Sequence, residues 1–196
     1  MQIGTIVSSR SHTLYTCRIL GRGEAAEAFS PADHALGTLV GMRLEDVTLV
    51  AILTDTQLYN PDYGSRSPRI TQPDALAVFA PDYLDELATL VELTVIGSLA
   101  EDGSAQQGCA SLAASIGTVV STLSEAEFDA FHTAGGSLRI AYLPGLLANP
   151  QPQMLQVLTR LLAVLAERYP DEAPSLQLLA DDIAWRTSIR PLEARL

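Results

Sequence analysis

Apolar and polar residues alternate along much of the first 145 positions, the period-two signature of strands with one buried face. Ile3, Ile6 and Val7 precede a polar Ser-Ser-Arg-Ser-His turn, and Thr13 to Leu20 (TLYTCRIL) interleaves β-branched and aromatic residues with polar ones. Together they predict a strand–turn–strand unit. Gly21-Arg-Gly23 ends it, and residues 24–36, which include Pro31, keep no clean period. Strand character resumes over Gly37 to Arg43, and Val47 to Tyr59 (VTLVAILTDTQLY) is the strongest β run in the chain. Residues 60–74 hold three prolines and Gly64 and predict a loop. Pro81 to Ala88 reads as a short helix, with Pro81 at an early position and acids in the first turn. Thr89 to Leu99 and Gly117 to Thr122 return to strand, with a turn at Asp102-Gly103 between them.

The period then lengthens. Ser124 followed three residues later by Glu127 is a capping box and predicts a helix over Glu125 to His132, stopped near Gly135-Gly136. Ser137 to Leu143 reads as a last strand, and Pro144, Gly145 and residues 149–152 mark a boundary. Beyond it, Met154, Leu155, Val157, Leu158, Leu161, Leu162, Val164 and Leu165 predict a helix that is apolar on more than one face. Ser175 is the expected cap of a second helix, striped by Leu176, Leu179 and Ile183 and reaching about Trp185. Short strands, Gly-rich turns and no βαβ rhythm favour a mainly β protein with helical additions (α+β). The expected architecture is a small antiparallel β-barrel over residues 1–145. A helical segment, 146–196, would follow and pack on the barrel or on a neighbouring subunit.

Composition narrows the chemistry. None of the 196 residues is a lysine; all twelve basic side chains are Arg. A Walker-type site needs a Lys reaching the β/γ-phosphates, and Schiff-base chemistry needs a Lys amine, so both classes are excluded. There is no G-x-x-x-x-G-K-[ST], no G-x-G-x-x-G and no G-x-S-x-G, and no cofactor is expected. The net charge of −11 opposes binding to nucleic acid, whose affinity rests on Lys and Arg releasing counterions. A charged fraction of only 18% and a mean hydropathy of +0.19 point to surface buried beyond a monomer core, hence to self-association or a protein partner. The apolar stretch Met154 to Ala166 is too short and too interrupted to span a bilayer. The start lacks a basic segment ahead of an apolar run, so the expected location is cytoplasmic.

Reactive residues are few. Cys17 and Cys109 form no CxxC and read as buried free thiols in strands. His12 and His34 read as structural, and His132 falls at a helix C-terminus, where positive charge is favoured. The acids Asp82, Asp85 and Glu86, and Glu125, Glu127 and Asp129, lie at helix starts, while Asp181 and Asp182 are spaced to pair with Arg186. No catalytic or metal-binding residue emerges. Two candidate contact regions do. Tyr59, Tyr63, Arg66 and Arg69 combine aromatic and guanidinium groups around the proline-rich loop, the composition of an interface hot spot. Leu155, Leu158, Leu162 and Leu165 form a candidate interface stripe on the first tail helix.

Three stretches together resemble a known family. They are Ile3-Gly-Thr-Ile-Val-Ser-Ser with the strand ending at Leu20-Gly21; Gly37-Thr-Leu-Val with Leu49-Val-Ala-Ile-Leu-Thr-Asp55; and Val91 to Gly97, the Asp102-Gly103 turn and Gly117-Thr-Val-Val120 before the Ser124 helix. Their order resembles the HAS-barrel, the small barrel at the front of HerA-type translocases, to which the barrel of the ATP synthase α and β subunits is related. The resemblance covers about residues 1–145 and implies a barrel used for assembly and docking, with a HerA-type ATPase or nuclease as partner. In the translocases a P-loop motor follows the barrel; here helices follow, and Gln107 to Ile116 replaces a proline-rich edge, so no catalytic residue carries over. The expected function is a non-catalytic assembly and docking module. A small-molecule-binding or weakly catalytic barrel, with residues 60–74 and 105–116 at its mouth, and a nucleic-acid-binding barrel are the alternatives.

Overall fold

The computed structural model describes residues 1–21, 30–60, 88–148 and 153–193. Residues 81–87 of the helix expected over Pro81 to Ala88 and nearly all of the loop expected over 60–74 lie outside these residues, as do Tyr63, Arg66 and Arg69, while Ala88 opens a strand. The strands are β1 (Gln2–Ser9), β2 (Leu14–Ile19), β3 (Leu39–Arg43), β4 (Val47–Tyr59), β5 (Ala88–Ala100), β6 (Ala105–Gln107), β7 (Val119–Thr122), β8 (Thr133–Ala134) and β9 (Ser137–Leu138). The helices are α1 (Glu125–His132), α2 (Leu143–Leu147), α3 (Met154–Arg168) and α4 (Ala173–Glu193).

Six strands close into an antiparallel barrel in the order β1-β2-β5-β4-β3-β7, with β7 pairing back on β1 and β6 added beside β5. Closure removes the free sheet edges that an open sheet of this size would expose. The interior is filled by side chains: Ile6, Tyr15, Cys17, Val40, Met42, Leu49, Leu53, Leu93 and Val120 are among its buried residues. Burial holds the Cys17 thiol in its neutral form, with its pKa pushed up to about 12.

The strong apolar run of β4 is explained by a second core on its outer side. Leu49, Ala51 and Leu53 face the interior, while Val50 and Ile52 join an outer cluster with the helices. β5 serves both cores by changing face. Val50 pairs with Gly97 and Ala51 with Val95, which leaves Ile96 as the extra residue of a bulge. Before the bulge Val91, Leu93 and Val95 line the interior; after it Leu99 faces the outer cluster. Gly97 follows the extra residue, and a Cβ there would collide with the Gln106 carbonyl and the Phe131 ring.

The outer cluster joins Leu39, Val50, Ile52, Ile96 and Leu99 to Phe131, Leu143, Leu146, six residues of α3, and Leu176 and Ile183 of α4. On α3 the buried residues are Met154, Val157, Leu158, Leu161, Leu162 and Leu165, one stripe at helical spacing. The helices thus share a core with the strands.

Three expectations change. Ser137 to Leu143 is not one strand: β9 ends at Leu138 after the Gly135-Gly136 turn, whose residues both have positive φ, and Leu143 opens α2. Pro144 suits an early helical position, and burying Leu143 with Leu146 needs helical rather than alternating spacing. α4 starts at Ala173, directly after a 3₁₀ turn over Pro170–Glu172, so Ser175 lies inside the helix. Cys109 is exposed and outside any strand, because β6 ends at Gln107.

Candidate interaction surface

Among the described residues, the two cores divide the barrel wall into a covered and a bare half. No residue of β1 or β2 belongs to the outer cluster, which draws on β3, β4 and β5. In the closed order β1 stands three strands from β4 in either direction, so β1 faces away from the helix layer. On this side the ladders align Arg18 with Thr5 and Thr5 with Val119 in one row across β2, β1 and β7. Cross-strand neighbours share a face. Val7, the unpaired residue where the β1–β2 register shifts, is 37% exposed, Val119 is 38% exposed, and Ile116, in the turn before β7, is 79% exposed. Residues 1–21 and 105–122 hold no carboxylate, although the chain has 23. Arg10 is 63% exposed and reaches back to Glu92, which is 8% exposed, at 2.9 Å. Arg10 is thus held in an ion pair at the edge of this side.

The segment between β6 and β7 is tied down to complete the barrel end. Ala110 is buried in the interior cluster, its carbonyl 2.9 Å from His12 Nε2, and the Ala114 N–H donates to the Tyr15 hydroxyl at 3.2 Å. His12 therefore donates from Nε2, since a carbonyl only accepts. Gln107 clamps the far side: its Nε2 donates to the carbonyls of Phe131 (2.8 Å) and Arg139 (2.9 Å), and its Oε1 accepts from the Ala141 N–H at 2.7 Å. That clamp sets Gly108 and Cys109 against Ala141 and Tyr142, leaving a groove of about 410 Å³ walled also by Val95, Ile96 and Leu146. A second cleft, of about 330 Å³, lies among Arg43, Glu45, Asp46, Glu101 and Glu127. The 105–116 segment thus closes the barrel end through Ala110 and flanks an outer groove through Cys109.

The charged and aromatic residues of α1 are occupied in holding α1 to the rest. Burial disfavours a charged Glu127, but hydrogen bonds from Arg43 and Ser124 outweigh it and draw its pKa down to about 2. Asp129 accepts from Arg168 at 2.6 and 2.7 Å and from the Tyr169 hydroxyl at 2.8 Å, and Arg168 holds its pKa near 2. Arg168 also lies over the Phe128 ring. His132 is buried, with Nδ1 2.9 Å from the Phe128 carbonyl and Nε2 2.9 Å from the Tyr142 hydroxyl. Nδ1 must donate, so Nε2 accepts from Tyr142. Burial lowers the His132 pKa to about 4. The positive charge expected at this helix end is therefore absent: the ring is neutral because desolvation outweighs the helix dipole.

Among the described contact candidates, Tyr59 is exposed at the end of β4 beside Leu58, which is 83% exposed. Leu158, Leu162 and Leu165 are buried in the outer cluster and Leu155 is half-buried against it, so the candidate interface stripe is covered by the chain's own core. Val164 is the exposed large apolar residue of α3, so this helix has one buried face rather than two. The row Arg18–Thr5–Val119 escaped sequence reading because its members meet only through strand pairing. The missing carboxylates were the available signal. Among the described residues no three His, Cys, Asp or Glu side chains come together as a metal site, and no helix is long and apolar enough to cross a membrane.

A family model described as a domain of unknown function, DUF8166, matches residues 1–192. No curated protein matches the chain.

Proposed function

This chain belongs to the DUF8166 family, and on that premise we propose that it is a non-catalytic docking module that acts through the bare half of its barrel. One observation carries the reading. The helices cover β3, β4 and β5, while Val7, Ile116 and Val119 stand exposed on the opposite side with no carboxylate among residues 1–21 and 105–122. Exposed apolar residues grouped on a face with few charges are the composition of a protein contact. The sequence resemblance of residues 1–145 to the HAS-barrel suggests a HerA-type ATPase or nuclease as the partner class. The groove beside Cys109 favours small-molecule binding as the second reading.

The test is a photo-reactive benzoylphenylalanine in place of Ile116, illuminated in the native host. The expected outcome is one dominant crosslinked species of higher mass. A chain that stays at its own mass after illumination, while free in solution and correctly folded, overturns the docking reading.

A further inference from the structure

β4 outruns the strand beside it. β3 begins at Leu39, opposite Ile52. The backbone bonds on that side end where Gly37 donates to the Leu53 carbonyl at 2.8 Å and Leu53 donates to the Thr38 carbonyl at 3.0 Å. β4 runs on to Tyr59, which pairs with Ala88 of β5. Past Leu53 the two strands form a ribbon whose β4 edge meets no other strand among the described residues.

The ladders show which backbone groups face that edge. The Val95 N–H donates to the Thr13 carbonyl at 2.8 Å, on the β2 side and away from β4. Backbone groups alternate sides along a strand, so those of Leu93, Val91 and Thr89 also aim away from β4. In an antiparallel pair, opposite residues either both face each other or both face away. Thr56 lies opposite Val91 and Leu58 opposite Thr89, so the N–H and C=O of both point out of the open edge. The Thr56 N–H meets the carboxylate of its neighbour Asp55 at 2.8 Å, an exposed local contact rather than a ladder bond. Leu58 is 83% exposed and Tyr59 54%. Between Asp55 and Tyr59 there is neither proline nor a basic residue, the usual devices that blunt an edge.

We propose that this edge pairs antiparallel with the same edge of a second copy, about a two-fold axis at Gln57. Thr56 of each copy then exchanges both N–H···O bonds with Leu58 of the other, and Asp55 releases the Thr56 N–H. Gln57 meets Gln57, Thr56 meets Leu58 and Asp55 meets Tyr59. No like charges stand directly opposite, although the chain carries a net charge of −11. The edge itself specifies a second copy as occupant. That copy's strand is already extended, held by its own β5 and open on the matching side, so pairing orders no loose segment. A contact of one surface with itself closes as a dimer. It uses the β4 edge and not the bare β1 side, so it stands or falls independently of the docking reading above.

Cysteine trapping in the full chain tests this, on a Cys109→Ser background that removes the exposed native thiol. In the proposed pairing Gln57 faces its counterpart at a non-hydrogen-bonded position, where Cα atoms lie about 4.5 Å apart, within disulfide reach. Thr56 is out of register with its own counterpart, more than about 7 Å away and beyond that reach. Mild oxidation at about 100 µM suits a contact at the small end of interface sizes. Gln57→Cys is expected to give a species of twice the monomer's 20.9 kDa, about tenfold faster than Thr56→Cys. Adding Leu58→Pro to Gln57→Cys deletes the edge N–H while leaving the ladder to β5 intact, and is expected to abolish the dimer at an unchanged melting temperature. Adding Leu58→Glu instead places like charge on both copies at the contact and is expected to do the same. A Gln57→Cys chain that stays monomeric overturns the proposal. So does a Thr56→Cys chain that crosslinks as fast, or a dimer that survives either change at Leu58 in a folded chain.

Discussion

At the scale of single residues, His132 makes the most testable demand. Its ring is held between the Phe128 carbonyl and the Tyr142 hydroxyl and packs edge-on to Phe131. The folded pKa of about 4 lies below the ordinary value of 6.5. The unfolded chain therefore takes up the proton first, and stability falls as pH drops from about 6.5 toward 4. Above that window the contribution is complete; across it the loss is about 3 kcal/mol, at about 1.4 kcal/mol per pH unit. Urea unfolding between pH 7 and pH 4 should show this slope in the wild type and a flatter one in His132→Gln. Equal slopes would mean that the ring is not buried neutral. Glu127 and Asp129 titrate lower: their folded values near 2, below ordinary values of 4.5 and 3.8, remove stability only as pH falls through that more acidic range. Residue type alone gave His132 the wrong charge, because the helix end was legible and the ring's burial was not. Gln107 was not legible at all. Its three hydrogen bonds exist only because Phe131, Arg139 and Ala141 arrive around it from 24 to 34 residues away.

Elements were legible where local chemistry sets them. Ser124 and Glu127 form the capping box their spacing predicts, and α1 starts at Glu125. The β4 run was visible as a strand because thirteen consecutive residues favour extended backbone. What the run did not reveal is why its centre is so apolar: from Leu49 to Leu53 both faces are buried, one in each core. The same holds for α3, whose stripe from Met154 to Leu165 was evident as a periodicity but not as a covering for β4 and β5. Leu161 is 1% exposed at the middle of that stripe. Leu161→Ala is expected to cost about 3 kcal/mol, from lost transfer energy and an unfilled cavity. Denaturant unfolding measures it, and a loss below about 1 kcal/mol would show that the stripe is not closely packed. The bulge at Ile96 had no sequence cue apart from the neighbouring Gly97, yet it turns Leu99 from one core to the other.

For the whole molecule, the decisive arrangement is one barrel wall shared by two cores. Val50, Ile52, Ile96 and Leu99 share a cluster with six buried residues of α3 and with Leu176 and Ile183 of α4, and removing α3 and α4 strips most of that covering from the wall. A chain ending at Ala148 is therefore expected to be insoluble or to lack a cooperative melt, even though every barrel strand is retained. Soluble fraction and circular dichroism decide it. A soluble, cooperatively melting fragment would show that the barrel core suffices alone.

The amino-acid sequence by itself determined the element types, their order and the absence of a lysine-based phosphate site, because these depend on near-neighbour periodicity, capping and residue inventory. Tertiary structure alone decided which face of each element is buried, where β5 changes sides, that His132 is neutral, and that the described helices pack over β3, β4 and β5. Those properties depend on contacts between residues distant in sequence. Pairing register and desolvation set them, and neither is written in any single segment.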